Sequence, residues 1–168
     1  AGLETAGAES FAIPFLSVLQ KISPQVEEAD AKYVDGAKAG MLLNTVTSEM
    51  FDGKVGVAFI PCAYQRKFIH WGPRGSSEGG FKGELQPEQI DQMLRSGEIV
   101  EQDGRYYKPK ADGSVDPKKC DFFSDTRNHF GLLVTPSGVQ QVLLALTSTQ
   151  IKKSKQMNSM IRNRRIGG

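Results

Sequence analysis

The stretch Tyr64-Gln65-Arg66-Lys67-Phe68-Ile69-His70-Trp71 interleaves aromatic rings with cations. Rings stack on nucleobases and cations neutralise phosphates, so this composition suits a platform for single-stranded nucleic acid. Each stacked base contributes about 1–3 kcal/mol on such a surface. Along a strand, successive side chains alternate between faces. Tyr64, Arg66, Phe68 and His70 then share one face, and Gln65, Lys67, Ile69 and Trp71 share the other. The competing reading makes Tyr64 and Phe68 core residues and Arg66 a surface charge. Two further groups have similar chemistry. Arg74 and Lys82 flank a glycine-rich loop that also brings Phe81, and Tyr106, Tyr107 and Lys108 follow one another. Each reads as ligand contact or as ordinary loop and hairpin packing.

The charge is divided along the chain. Residues 126–168 hold no Asp or Glu but carry Arg127, Lys152, Lys153, Lys155, Arg162, Arg164 and Arg165. The whole chain has a net charge of only +2, so the preceding 125 residues sum to −5 against the +7 of this segment. Such a division creates a field that attracts phosphate, an anionic membrane surface or an acidic partner. The plain alternative is a solvated basic helix without a ligand.

Catalysis finds little support, and the chain reads as a non-enzyme with no cofactor implied. His70 and His129 sit in no nucleophile or metalloprotease motif, and the GxxxxGK phosphate loop is absent. Ser137 lacks the glycine pattern of a nucleophile elbow. Glu27, Glu28 and Asp30 cluster in what reads as a solvated linker. Cys62, His70, Cys120 and His129 are ligand types of a structural zinc site, although the Cys–His separations of eight and nine residues do not match a standard finger. They would converge only if their strands were neighbours. Otherwise the cysteines read as reduced, mostly buried thiols.

These residues need elements to position them. The spacing of Phe15, Val18, Leu19 and Ile22 predicts a helix over residues 11–22. Residues 41–50 read as a strand, and Asp52-Gly53 signals a hairpin into a long strand within residues 54–71. Pro61 should fall at a bulge, bend or edge of that strand. Residues 72–80 form a loop, residues 87–94 a short helix stopped by Gly97, and residues 98–110 a hairpin around Asp103-Gly104. Residues 130–135 and 139–146 read as strands joined at Pro136-Ser137-Gly138, and Thr147 to Thr149 offer caps for a last helix.

Helices do not alternate with strands, so the class is α+β, mainly β. The expected architecture is an OB-like small barrel or a curved antiparallel sheet with flanking N- and C-terminal helices. Residues 11–163 would form one nucleic-acid-binding domain, between a flexible arm at 1–10 and a basic tail at 164–168. No apolar stretch of the 168 residues approaches membrane-spanning length.

The segments FAIPFLSVLQKISP, GVAFIPCAYQRKFIHWGPR and LLALTSTQIKKSKQMNSM resemble a family encoded by tailed bacteriophages and described as single-stranded DNA-binding proteins. The resemblance spans residues 11–161. It implies a role in phage DNA replication or recombination in the host bacterial cytoplasm, with single-stranded DNA and phage replication or recombination proteins as partners. It draws attention to Tyr64, Arg66 and Trp71, and to Lys152, Lys153 and Lys155. Many single-strand binders end in an acidic tail, whereas this sequence ends NRRIGG. The expected function is sequence-independent single-stranded DNA binding, with self-association left open. The rival is a phage virion or assembly protein whose basic C-terminal helix meets an acidic partner or packaged DNA.

Overall fold

The computed structural model describes residues 12–166, with side chains described through residue 164. The expected arm at residues 1–10 lies outside this range. Among the described residues there are nine strands and two α-helices, in the order β1 (Leu16–Val18), β2 (Leu42–Asn44), β3 (Met50–Phe51), β4 (Ala58–Trp71), β5 (Phe81–Leu85), α1 (Pro87–Ser96), β6 (Val100–Gln102), β7 (Arg105–Tyr107), β8 (Phe122–Thr135), β9 (Gly138–Thr147) and α2 (Ile151–Ile166). One sheet has the order β1-β2-β3 and the other β5-β4-β8-β7-β6, with β9 also on β8. The class is α+β and mostly antiparallel. The end strands of the larger sheet, β5 and β6, are not neighbours, so of the two expected architectures the sheet is the open antiparallel one and not the barrel. No helix among the described residues is long and apolar enough to cross a membrane.

The chain divides into two compact units. The first joins residues up to Tyr64 with His129–Ala145, and the second joins Gln65–Asn128 with residues from Leu146 onward.

In the first unit the expected N-terminal helix is a strand. β1 pairs antiparallel with β2, Leu16 opposite Asn44, and Phe15 bridges Leu143 in parallel. Leu16 and Leu19 are buried while Ile22 is exposed, so the apolar residues do not form one helical stripe. For so short a run, tertiary pairing overrides the helical spacing. The expected strand at residues 41–50 breaks in two, because Ser48 adopts φ 59° and the chain turns back so that β2 and β3 pair. The turn at Asp52 forms, with Gly56 N–H donating to the Asp52 carbonyl, yet it joins β3 to β4, which are not neighbours in either sheet. Two small cores result. Leu16, Leu133 and Val142 pack with Leu42, Phe51, Val57 and Phe59, and Leu19, Ala37 and Leu43 pack with Val26, Val34, Met41 and Met50.

In the second unit the punctuation works as expected. Pro87 opens α1, and Gly97 closes it in the left-handed conformation at φ 76°. Asp103 and Gly104 both take positive φ, 52° and 72°, as a tight hairpin requires, and β6 pairs with β7 around them. Phe68, Ile90, Ile99 and Phe123 form the core, with Leu85, Met93, Leu94 and Tyr106 against it. β8 begins at Phe122, eight residues before the expected strand. Thr147 and Gln150 cap each other reciprocally at the turn that leads into α2. Because α2 runs to Ile166, most of the expected tail at residues 164–168 is helical.

Leu133 is fully buried in the first unit. Leu133→Ala should destabilise the protein by about 3 kcal/mol in urea denaturation. A loss below about 1 kcal/mol would contradict this core assignment.

Candidate nucleic-acid interface

Strand alternation sets the geometry of the second unit. β4 presents Arg66, Phe68 and His70 on one face, and the chain from Asp121 into β8 presents Asp121, Phe123, Asp125 and Arg127 against them. Arg66 donates to Asp125 through Nε at 3.2 Å and Nη2 at 2.9 Å. Arg127 donates to the same carboxylate through Nε at 2.7 Å and Nη2 at 2.9 Å. Asp125 is thus gripped by two guanidinium forks, the geometry that suits a carboxylate best. Burial pushes the Asp125 carboxyl pKa up, but the hydrogen bonds and charges of Arg127 and Arg66 outweigh it and hold the pKa below its ordinary value.

A second carboxylate repeats the pattern. Asp121 accepts from Lys82 Nζ at 2.9 and 3.0 Å and lies 2.8 Å from His70 Nε2. Its pKa is also lowered: burial raises it, and the bonds from Lys82 and His70 overcome that. His70 stacks on Phe123 at 4.5 Å between centroids, and Arg66 lies 5.1 Å from the Phe68 ring centre. Tyr106 meets Phe68 edge-on at 5.4 Å. Its hydroxyl pKa is raised, first by burial and then by the charges of Glu101 and Asp125.

This arrangement corrects part of the expected platform. Phe68 is 2% exposed and Tyr107 5% exposed, so both belong to the interior and offer no face to a base. Arg66, Lys82 and Arg127 are held by carboxylates instead of standing ready for phosphates. Tyr64 is exposed, but it belongs to the first unit, where its ring lies 5.0 Å from that of His129. The zinc reading is overturned as well. Among the described residues no three His, Cys, Asp or Glu side chains come together to hold a metal, and His70 already faces Asp121. Cys62 is exposed, Cys120 is buried, and both are free thiols.

The remaining candidates lie in the second unit. Lys108, Lys152, Lys153 and Lys155 are exposed. On α2, Ser154 is fully buried and Ile151, Met157 and Ile161 are half-buried, which turns the lysines outward. Met160 of the same helix is exposed. Arg74 lies 4.7 Å from the Phe122 ring centre, and Trp71 meets Phe81 edge-on at 6.1 Å. Sequence reading missed Arg105 and Phe122, which with Arg74, Tyr106, Ser148 and Ile151 line a cavity of about 90 Å³. The aromatic pair Phe122-Phe123 beside Asp125 was the available signal, since rings and charge alternating on a strand mark a two-faced position.

An open, mostly antiparallel α+β protein with an acid-free basic helix is the class that fold and charge define. The family model described as "Pam3 phage gp34-like protein" matches residues 1–168, and the chain belongs to that family. It is therefore a phage protein. Comparison with curated proteins and with solved structures returns no match.

Because its folded pKa is depressed, Asp125 contributes stability that is present above its unfolded pKa, about 3.9, and is lost as pH falls through that value and the lower folded one. Asp125→Asn should therefore cost roughly 3 kcal/mol at neutral pH, measured by urea denaturation. Its deficit relative to the parent should shrink in acid below the ordinary carboxylate range. An unchanged deficit there would contradict the ion-pair account.

Proposed function

We propose that this phage protein binds single-stranded DNA without sequence preference, in replication or recombination within the host cytoplasm. The observation that carries this reading is α2. It holds no Asp or Glu, and its Lys152, Lys153 and Lys155 are exposed and make no ion pair among the described residues. Elsewhere in the same unit, cations such as Arg66, Lys67 and Lys82 are matched to carboxylates. A helix left wholly basic has a field that draws phosphates and releases their counterions. Arg74 with Phe122, Trp71 with Phe81, Tyr106 and Lys108 supply rings and further cations on the same unit.

A second reading, a phage virion or assembly protein, draws support from the first unit. A largely apolar groove of about 490 Å³ lies there, lined by residues including Ile13, Cys62, Phe130, Leu132 and Val142. Ile13 and Phe130, which line it, are exposed, so an apolar segment of a partner could lie against them. Finding the protein in purified particles, together with no affinity for free oligonucleotides, would favour this reading.

Fluorescence anisotropy with labelled single- and double-stranded oligonucleotides at two salt concentrations separates the readings. Single strands should bind more tightly, with affinity falling steeply as salt rises. Replacing Lys152, Lys153 and Lys155 by Gln should reduce the salt slope by about two. Absence of single-strand binding at low salt would sink the proposal.

A further inference from the structure

The cavity beside α2 combines size, charge and shape in a way that narrows its ligand. Arg74 and Arg105 both line it, and neither makes an ion pair among the described residues. Arg74 is instead laid over Phe122, which holds its guanidinium in place through the ring face. Asp125 also borders the cavity, but Arg66 and Arg127 already cover its charge. With that acid neutralised, Arg74 and Arg105 are the remaining charged groups in the cavity lining. Ser124 and Ser148 add hydroxyl groups. Ser148 has a left-handed backbone, φ 50°, which a residue with a Cβ adopts only where the surroundings enforce it.

The volume of about 90 Å³ equals roughly three water molecules. That space accommodates a tetrahedral oxyanion. Planar guanidinium forks match phosphate oxygens two at a time.

We propose that this cavity seats one phosphate group of the bound strand, with Arg74 and Arg105 as its ligands. The assignment rests on the nucleic-acid reading above and adds to it a fixed point of register. The lysines of α2 attract the strand diffusely, whereas the cavity holds one phosphate in a set geometry.

NMR of the arginine Nε–Hε groups tests this on the full chain, titrated separately with inorganic phosphate, a 5′-phosphorylated single strand and a 5′-hydroxyl single strand. Shifts of Arg74 and Arg105 with both strands support an internal phosphate. Shifts with the phosphorylated strand and inorganic phosphate alone support a terminal one. The Arg74→Ala, Arg105→Ala double variant should bind its preferred strand about tenfold more weakly, while still unfolding in one cooperative transition. Strand binding that moves neither arginine and survives the double substitution would overturn the cavity assignment and leave the wider reading intact. No strand binding by the parent would overturn the function itself, whatever inorganic phosphate does.

Discussion

The carboxylate of Asp125, held by Arg66 from β4 and by Arg127 from its own strand, is the interaction around which the second unit is arranged. The same register that brings Arg66 to Asp125 places His70 on Phe123 and near Asp121. Phe68 and Phe123 then meet the apolar side of α1 through Ile90. A carboxylate left unpaired beside this core would carry a desolvation penalty of several kcal/mol, which the guanidinium groups of Arg127 and Arg66 offset at Asp125. The polar contacts and the apolar core therefore depend on one alignment of β4 with β8.

That arrangement also divides the cations by task. Arg66, Arg127 and Lys82 serve the fold, because acids occupy them. Lys152, Lys153 and Lys155 lie on a helix whose inward side is taken by Ser154 and flanking apolar residues. They add nothing visible to packing. Surface charge of one sign, kept without compensating acids, repels itself and creates a field that attracts anions.

Local features were legible in the sequence because local chemistry decides them. Pro87 and Gly97 delimit α1, and Asp103-Gly104 makes its hairpin through backbone conformations that those residues adopt readily. The helix expected at residues 11–22 failed because its spacing was ambiguous and pairing with β2 decided the outcome. The ring–cation stretch of β4 was correctly seen as two-faced, but its partners lie far away in sequence. Arg66 and Asp125 are 59 residues apart, and His70 and Asp121 are 51 apart. No local pattern reveals such a register. The polar beginning of β8, Ser124 through Asn128, hid a strand whose charges are matched across the sheet. Arg105 and Phe122 escaped notice for the same reason, since the cavity joins β7, β8 and the start of α2.

The central claim is that nucleic acid meets the uncommitted cations of the second unit and not the carboxylate-bound ones. Ultraviolet crosslinking to a single-stranded oligonucleotide, with the modified peptides identified by mass spectrometry, addresses it directly. The account predicts crosslinks around Trp71, Arg74, Tyr106 and Phe122 and along α2. Crosslinks concentrated on Tyr64 and the first unit, or none at concentrations where anisotropy reports binding, would contradict it.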